Sequence, residues 1–284
     1  MIRNSFIFLE KIKDIEKSIW QQGICSWDDF LKAEKIVGLS RARKLYYNRK
    51  IIEAQKELYS FNSSYFINKL PSPENWRLYD FFKEDAVYLD IETSGVSKCD
   101  SIIVVGLFDG ISQKTMIKGI NLDVNYLKKE LSRYKLIVTF NGATFDLPFI
   151  KKRYPDLLPN IPNLDLKVAC DRLGLKGGLK KVEKKLGIQR NKIIEGFYGG
   201  DTLTLWKMHR ATGDDYYLNL LVEYNEEDCV NLKIIANYCY EKLKELIKSN
   251  YVKNHPLEMG GMLLSFTASG WFLSMLRNFS SSGL

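Results

Sequence analysis

A chain of 284 residues with 45% hydrophobic and 13% aromatic content carries enough apolar side chain for one large or two modest cores, which excludes a disordered or fibrous protein. Its formal net charge of +8 and isoelectric point near 9.0 favour a polyanionic partner such as nucleic acid. The five cysteines, Cys25, Cys99, Cys170, Cys229 and Cys239, are odd in number and never spaced Cys-x-x-Cys, so they suggest neither a disulfide framework nor a zinc site and fit a reducing cytosol.

The apolar run Phe6 to Leu9 is too short for a signal-peptide core. From about Ser5 to Leu70 the pattern is helical: Phe8, Ile12, Ile15 and Ile19 recur at helical spacing, and Ser26-Trp27-Asp28-Asp29 predicts a helix start with Ser26 as N-cap. Lys and Arg cluster between Arg41 and Lys50 around Tyr46 and Tyr47, a mix that suits either a phosphate backbone or a solvated helix face. Leu70-Pro71-Ser72-Pro73 breaks the helical pattern, and the stretch to Phe82 reads as a connector packed down by Trp76 and Tyr79.

From Ala86 strands alternate with helices. Ala86 to Leu89 is a continuous apolar run of a buried strand, followed by Asp90 and Glu92, which project from one face while Leu89 and Ile91 take the other. Two adjacent carboxylates repel, and oxygen-only ligation of a cation between them points to Mg²⁺ or Mn²⁺; a strand end entering solvent with two hydrated acids has the same pattern. Ser101 to Phe108, a turn at Asp109-Gly110, and Gln113 to Ile120 complete an antiparallel meander. A helix from Val124 to Tyr134, an apolar strand from Leu136 to Phe140, and a helical stretch from Thr144 to Arg153 follow, so Asp146 emerges just past a buried strand.

Ile161 to Leu166 predicts a short strand ending at Asp165, then a helix to Leu173. Gly177-Gly178-Leu179-Lys180-Lys181 leads glycines and lysines into a helix, either a phosphate contact or a plain helix–helix turn. Gly199-Gly200-Asp201 opens another helix, through Met208, and a long one runs from Tyr216 to Ile247. On it Tyr224 and Asp228 are four apart and share a face, with Glu226 and Glu227 expected to point into water. His209, near Trp206 and Arg210, reads as a surface or packing residue. Met259 to Leu276 is uncharged and borders on the length of a membrane span, but its glycines and serines favour a tail over a span. The chain thus divides into a helical N-terminal region, 1–70, a connector, 71–85, an α/β domain, 86–250, and an apolar tail, 251–284.

In this order the motifs resemble those of the DEDD exonucleases of the RNase H-like superfamily, in the branch whose third motif carries tyrosine. The first motif matches at Asp90 and Glu92, the second at Asn141-Gly142-x-x-Phe145-Asp146-x-Pro148-Phe149, and the third at Tyr224 and Asp228. A narrower likeness, to predicted exonucleases with a YprB-like RNase H domain, rests on Trp76-Arg77-Leu78-Tyr79, Leu89 to Thr93, Gly177-Gly178-Leu179-Lys180 and Tyr224-Asn225-x-Glu227-Asp228. The resemblance spans roughly residues 5 to 245.

It implies a mixed β-sheet flanked by helices and 3′-to-5′ hydrolysis of phosphodiester bonds in DNA or RNA. The chemistry uses two divalent ions roughly 3.5 to 4 Å apart, Mg²⁺ or Mn²⁺, and no small-molecule cofactor. On that likeness Asp90 bridges both ions, Asp228 completes one site, Asp146 holds the second directly or through water, and Glu92 ligates a metal and orients the attacking water. Tyr224 positions that water by hydrogen bonding, and Asn141, Lys180 and Lys181 contact nucleic acid. The N-terminal region is similar to a degenerate helix-hairpin-helix, Val37-Gly38-Leu39-Ser40-Arg41-Ala42, with Ser40 where a second glycine is usual. Two other readings compete: a non-catalytic nucleic-acid-binding module, against which the full set of acids speaks, and a structure-specific endonuclease on the same fold.

Overall fold

The protein is described as a computed structural model covering residues 1–9, 15–95, 97, 100–195 and 199–252. The expectations placed on Ile12, Cys99 and the stretch Met259 to Leu276 lie outside the described residues. Residues Met1–Glu245 form one compact unit, and a second unit begins at Leu246.

At the N-terminus the helical reading needs a correction. A 3₁₀ turn at Ile2–Asn4 is followed by turns through Leu9, and helix α1 (Ile15–Gln21) starts only afterwards. The cause is Glu16: its buried carboxylate accepts the Phe6 N–H at 2.6 Å and the Ser5 hydroxyl at 3.0 Å, which claims for a side chain a backbone donor that a helix would use. Helix α2 (Trp27–Lys32) begins at Ser26 as the sequence predicts, with Ser26 Oγ accepting the Asp29 N–H at 3.1 Å. In the turn to α3 (Arg41–Tyr59), Gly38 takes the positive φ of 86° and Ser40 is extended, capping the Arg43 N–H. Ser40 is therefore an N-cap in place of a second turn glycine. The basic stretch on α3 is partly a packing surface, since Tyr47 is buried and Lys44 turns inward to donate to the Leu31 carbonyl at 3.3 Å.

The connector is a 3₁₀ helix, Ser72–Leu78, then α4 (Tyr79–Phe82) and a 3₁₀ turn, Lys83–Asp85. Trp76 and Tyr79 are buried, as expected, and Arg77 forms a buried ion pair with Glu16 at 3.2 Å.

Beyond it lies a mixed sheet of β1 (Ala86–Thr93), β2 (Ile102–Phe108), β3 (Gln113–Ile117), β4 (Leu136–Thr139) and β5 (Asn163–Asp165), in the spatial order β3-β2-β1-β4-β5. β1, β2 and β3 form the antiparallel meander; β4 and β5 run parallel to β1. All four residues of β4 are buried, which accounts for its uninterrupted Leu-Ile-Val-Thr sequence. One face of the sheet, with Val87, Leu89, Ile91, Val105 and Ile137, packs on α5 (Val124–Leu131) and α6 (Asp146–Arg153) through Leu127, Leu131 and Ile150.

The helices α7 (Leu166–Arg172), α8 (Leu179–Leu186), α9 (Lys192–Glu195), α10 (Gly199–Thr212) and α11 (Asp215–Val252) follow, the last running beyond the predicted Ile247. Leu205, Leu220 and Leu221, from α10 and α11, meet Ile103 and Val104 of β2. Cys170 of α7 and Cys239 of α11 are buried free thiols whose sulfurs lie 3.5 Å apart, a proximity their spacing in the sequence conceals. His209 packs on Trp206 near the end of α10. Among the described residues no helix is long and apolar enough to cross a membrane.

One residue lets α11 settle onto the sheet. Gly106 of β2 stands opposite Asp90 of β1, and a Cβ there would meet Asn225 Oδ1 at 2.1 Å and Cys229 Sγ at 2.7 Å. Gly106→Ala is therefore expected to lift α11 from β2 and to destabilise the protein by about 1–3 kcal/mol, read as a lower midpoint in urea denaturation.

Candidate active site

The face of β1 that carries Asp90 and Glu92 looks towards α10 and α11, whereas Leu89 and Ile91 join the core on the other side, as strand alternation requires. The β1–β2 register shifts between Glu92 and Thr93, a bulge that re-aims the strand where its acids end. Asp90 Oδ2 accepts from Asn225 Nδ2 at 2.8 Å, and Glu92 Oε2 accepts from the Thr202 hydroxyl at 2.8 Å. Asp228 stands one turn of α11 beyond Tyr224 and pairs with the Arg190 guanidinium.

One carboxylate oxygen from each of Asp90, Glu92 and Asp228 lies within 4.8 Å of the others, so the three can share a metal ion. Asp146 opens α6 beside them. β4 pairs with β1 only as far as Tyr88, and past that point Asp146 Oδ1 takes the Ile91 N–H at 3.2 Å, closing the crevice. Asp146 is placed there by Asp165, whose two oxygens accept the Asn141 N–H at 2.8 Å and the Ala143 N–H at 3.0 Å. Asn141 adopts the left-handed conformation this turn needs, at φ 64°.

Four acids in one cleft raise one another's proton affinity. Burial, then the charges of Asp228, Asp146 and Glu92, pushes Asp90 well above its usual range. Burial lifts Glu92 from 4.5 to about 8 despite its bond from Thr202, and Asp146 from 3.8 to about 7 despite the bond from Ile91. Asp228 rises from 3.8 to about 6, burial outweighing the restraint of Arg190. The donor set is oxygen only and its negative charge exceeds what the neighbouring cations offset, which fits a hard divalent ion. Tyr224 is buried beside these acids; burial first, then Asp228, Glu92 and Asp90, raise its phenol well above the usual range, so it stays protonated, with a hydrogen to donate.

The structure thus brings together Asp90, Glu92, Asp146, Tyr224 and Asp228. Lys180 also reaches the site, its Nζ 4.8 Å from the centre of the Tyr224 ring, while Lys181 is exposed and folds along Gly177. Asn141 is exposed on the loop that positions Asp146. Glu226 and Glu227 depart from expectation: Glu226 accepts from the Thr115 hydroxyl at 2.8 Å and Glu227 from the Asn191 N–H at 2.8 Å, so both fasten loops and strands to α11. Thr202 and Arg190 carry no signal in the sequence, whereas Asn225 stands in the narrower likeness and Asp165 at a predicted strand end, neither with a role in the site.

The RNase_H superfamily model matches residues 87–240, more than half of the chain, and the chain belongs to that superfamily. Solved structures similar to it include the family B DNA polymerase from the hyperthermophilic archaeon Pyrobaculum calidifontis, at 15% identity and a TM-score of 0.44 over 56% of this chain and 24% of that one. The chain therefore spans about a quarter of the polymerase's length. A nuclease in its apo form is similar at 18% identity and a TM-score of 0.42, over 64% of this chain and 80% of that one. No curated protein matches the sequence.

Because the folded carboxyls bind protons more tightly than the unfolded chain does, the stability they contribute is fully present below the unfolded values of 3.8 and 4.5. It is lost as pH rises through about 6, 7 and 8, the folded values of Asp228, Asp146 and Glu92. The melting temperature in EDTA is expected to fall by several degrees between pH 5 and pH 9, and millimolar Mn²⁺ to recover most of that loss at pH 9.

Proposed function

We propose that this protein is a divalent-metal-dependent 3′-to-5′ exonuclease that hydrolyses phosphodiester bonds of DNA or RNA with two ions, Mg²⁺ or Mn²⁺. The observation that carries the reading is the convergence of Asp90, Glu92 and Asp228, within 4.8 Å, with Asp146 opening α6 beside them. Nothing in a protein that only grips phosphates calls for four acids, two of them buried, gathered at the end of β1, which argues against a non-catalytic binding module.

In this reading Asp90, Glu92 and Asp228, with Asp146 beside them, are the residues that would hold the ions. When bound, the ions supply an activated water and charge stabilisation of the departing 3′ oxygen. The chain's residues do the rest. Asn225 fixes the rotamer of Asp90, and Thr202 that of Glu92, so that each carboxylate presents its remaining oxygen to the cleft. Tyr224, held protonated, orients the attacking water as a hydrogen-bond donor and does not take its proton. Lys180 places positive charge beside the acids where a phosphate would approach, and Asn141 is exposed on the turn after β4 that positions Asp146. The formal charge of +8 suits a polyanionic substrate, for which a single-stranded 3′ end is the simplest fit to a cleft at a strand end.

Three variants test the assignment on 5′-labelled and 3′-labelled single-stranded DNA and RNA. Asp90→Ala and Asp228→Ala are expected to abolish metal-dependent cleavage with the fold retained by circular dichroism. Tyr224→Phe is expected to slow it by about 10²-fold while still binding metal. A ladder shortening from the 3′ end supports the exonuclease; internal cuts would replace it with an endonuclease, and wild-type activity in either aspartate variant would remove the metal assignment.

A further inference from the structure

Arg190 lies just past the C-terminal end of α8, and its side chain is only 4% exposed. Its Nε and Nη2 donate to the two oxygens of Glu183, each at 2.7 Å, a bidentate pair. The same Nη2 also donates to Asp228 Oδ1. Nη1 is buried and has no hydrogen-bond partner among the described residues. Glu183, 2% exposed on α8, takes a further bond from Asn231 Nδ2 of α11 at 3.0 Å.

The guanidinium is thus divided between two carboxylates of different kinds. Glu183 holds it with two bonds and an anchor on α11, and stands outside the group of acids that can share an ion. Asp228 holds it with one bond and belongs to that group. A divalent cation drawn to Asp228 meets a cation already resting on that carboxylate, and at such separations like charges repel strongly in a partly desolvated site. Losing the Asp228 contact leaves the Arg190–Glu183 pair intact, so the guanidinium does not become an unpaired buried charge.

We propose that Arg190 is the exchangeable counter-ion of Asp228: it neutralises that carboxylate when no divalent ion is bound and yields it to the ion while remaining tethered to Glu183. The proposal rests on the reading of the carboxylates as a metal site. Arg190 is then a positioning residue, and Glu183, outside the group of acids that can share an ion, sets metal affinity by competing for it.

Two substitutions separate this from a purely structural ion pair because they move affinity in opposite directions. In calorimetric titrations of the full chain with Mn²⁺, without substrate, Arg190→Gln is expected to bind about three- to tenfold more tightly than wild type, since the competing cation is gone. Glu183→Gln is expected to bind more weakly by a similar factor, since the guanidinium then leans on Asp228 alone. The double variant Glu183→Gln/Arg190→Gln does not leave Glu183 as a buried anion without its partner and is expected to keep the tighter binding, which covers the case where a single variant does not fold. Unchanged affinity in Arg190→Gln, or shifts of the same sign in both single variants, would overturn the proposal while leaving the metal site standing. Wild-type protein that takes up no Mn²⁺ would overturn the metal site and this proposal together.

Discussion

Withdrawal of four neighbouring carboxylates from water is the constraint around which this structure is arranged. Asp90, Glu92, Asp146 and Asp228 meet where water is scarce, and each is driven by burial toward its neutral form. The neighbouring donors lessen that cost without removing it: the Asn225 amide, the Thr202 hydroxyl, the Ile91 N–H and the Arg190 guanidinium each face one of the four acids. A protein that only needed to fold would gain by replacing such a group with apolar side chains. The cluster makes sense as a device whose cost is offset when cations arrive.

The acids are held together largely by contacts made elsewhere on their elements. Tyr88, two residues before Asp90, shares a hydrogen bond of 2.8 Å with Tyr79, whose hydroxyl also reaches Asn237 of α11 at 2.9 Å. Strand and helix are thereby pinned at Asn237 to the connector and, through Asn225 and Cys229, packed against Gly106, where Asn225 reaches Asp90. Asp165 does the same for Asp146, bracing the turn after β4 through backbone amides instead of touching the acid itself. Burial of the surrounding strands supplies the rigidity: Val87, Tyr88, Leu136 and Val138 are wholly enclosed.

Much of this was legible in the sequence because it is written in local pattern. The apolar run before Asp90, the alternation that puts Glu92 beside it, and the strand–turn–helix leading to Asp146 are all set by nearest neighbours. What escaped depends on partners far away in the chain. Asn225 acquires meaning only when α11 is laid against β1, and Thr202 only when α10 reaches Glu92. Arg190 and Glu183 read as ordinary charges on a basic helix and its exit turn, yet both are buried. Glu226 and Glu227 erred the other way, since a helical wheel assigns them to water and cannot see Thr115 or the Asn191 amide arriving from elsewhere. The N-terminal periodicity misled for the same reason: Glu16 claims the backbone of Ser5 and Phe6 from outside the segment.

The central claim, that the four acids exist to hold a pair of divalent ions, is tested most directly by diffraction from crystals soaked in Mn²⁺, recorded at the manganese absorption edge. The account predicts two anomalous peaks roughly 3.5 to 4 Å apart, with Asp90 between them, one flanked by Glu92 and Asp228 and the other by Asp146. A cleft without an anomalous peak, with Arg190 still on Asp228, would contradict it.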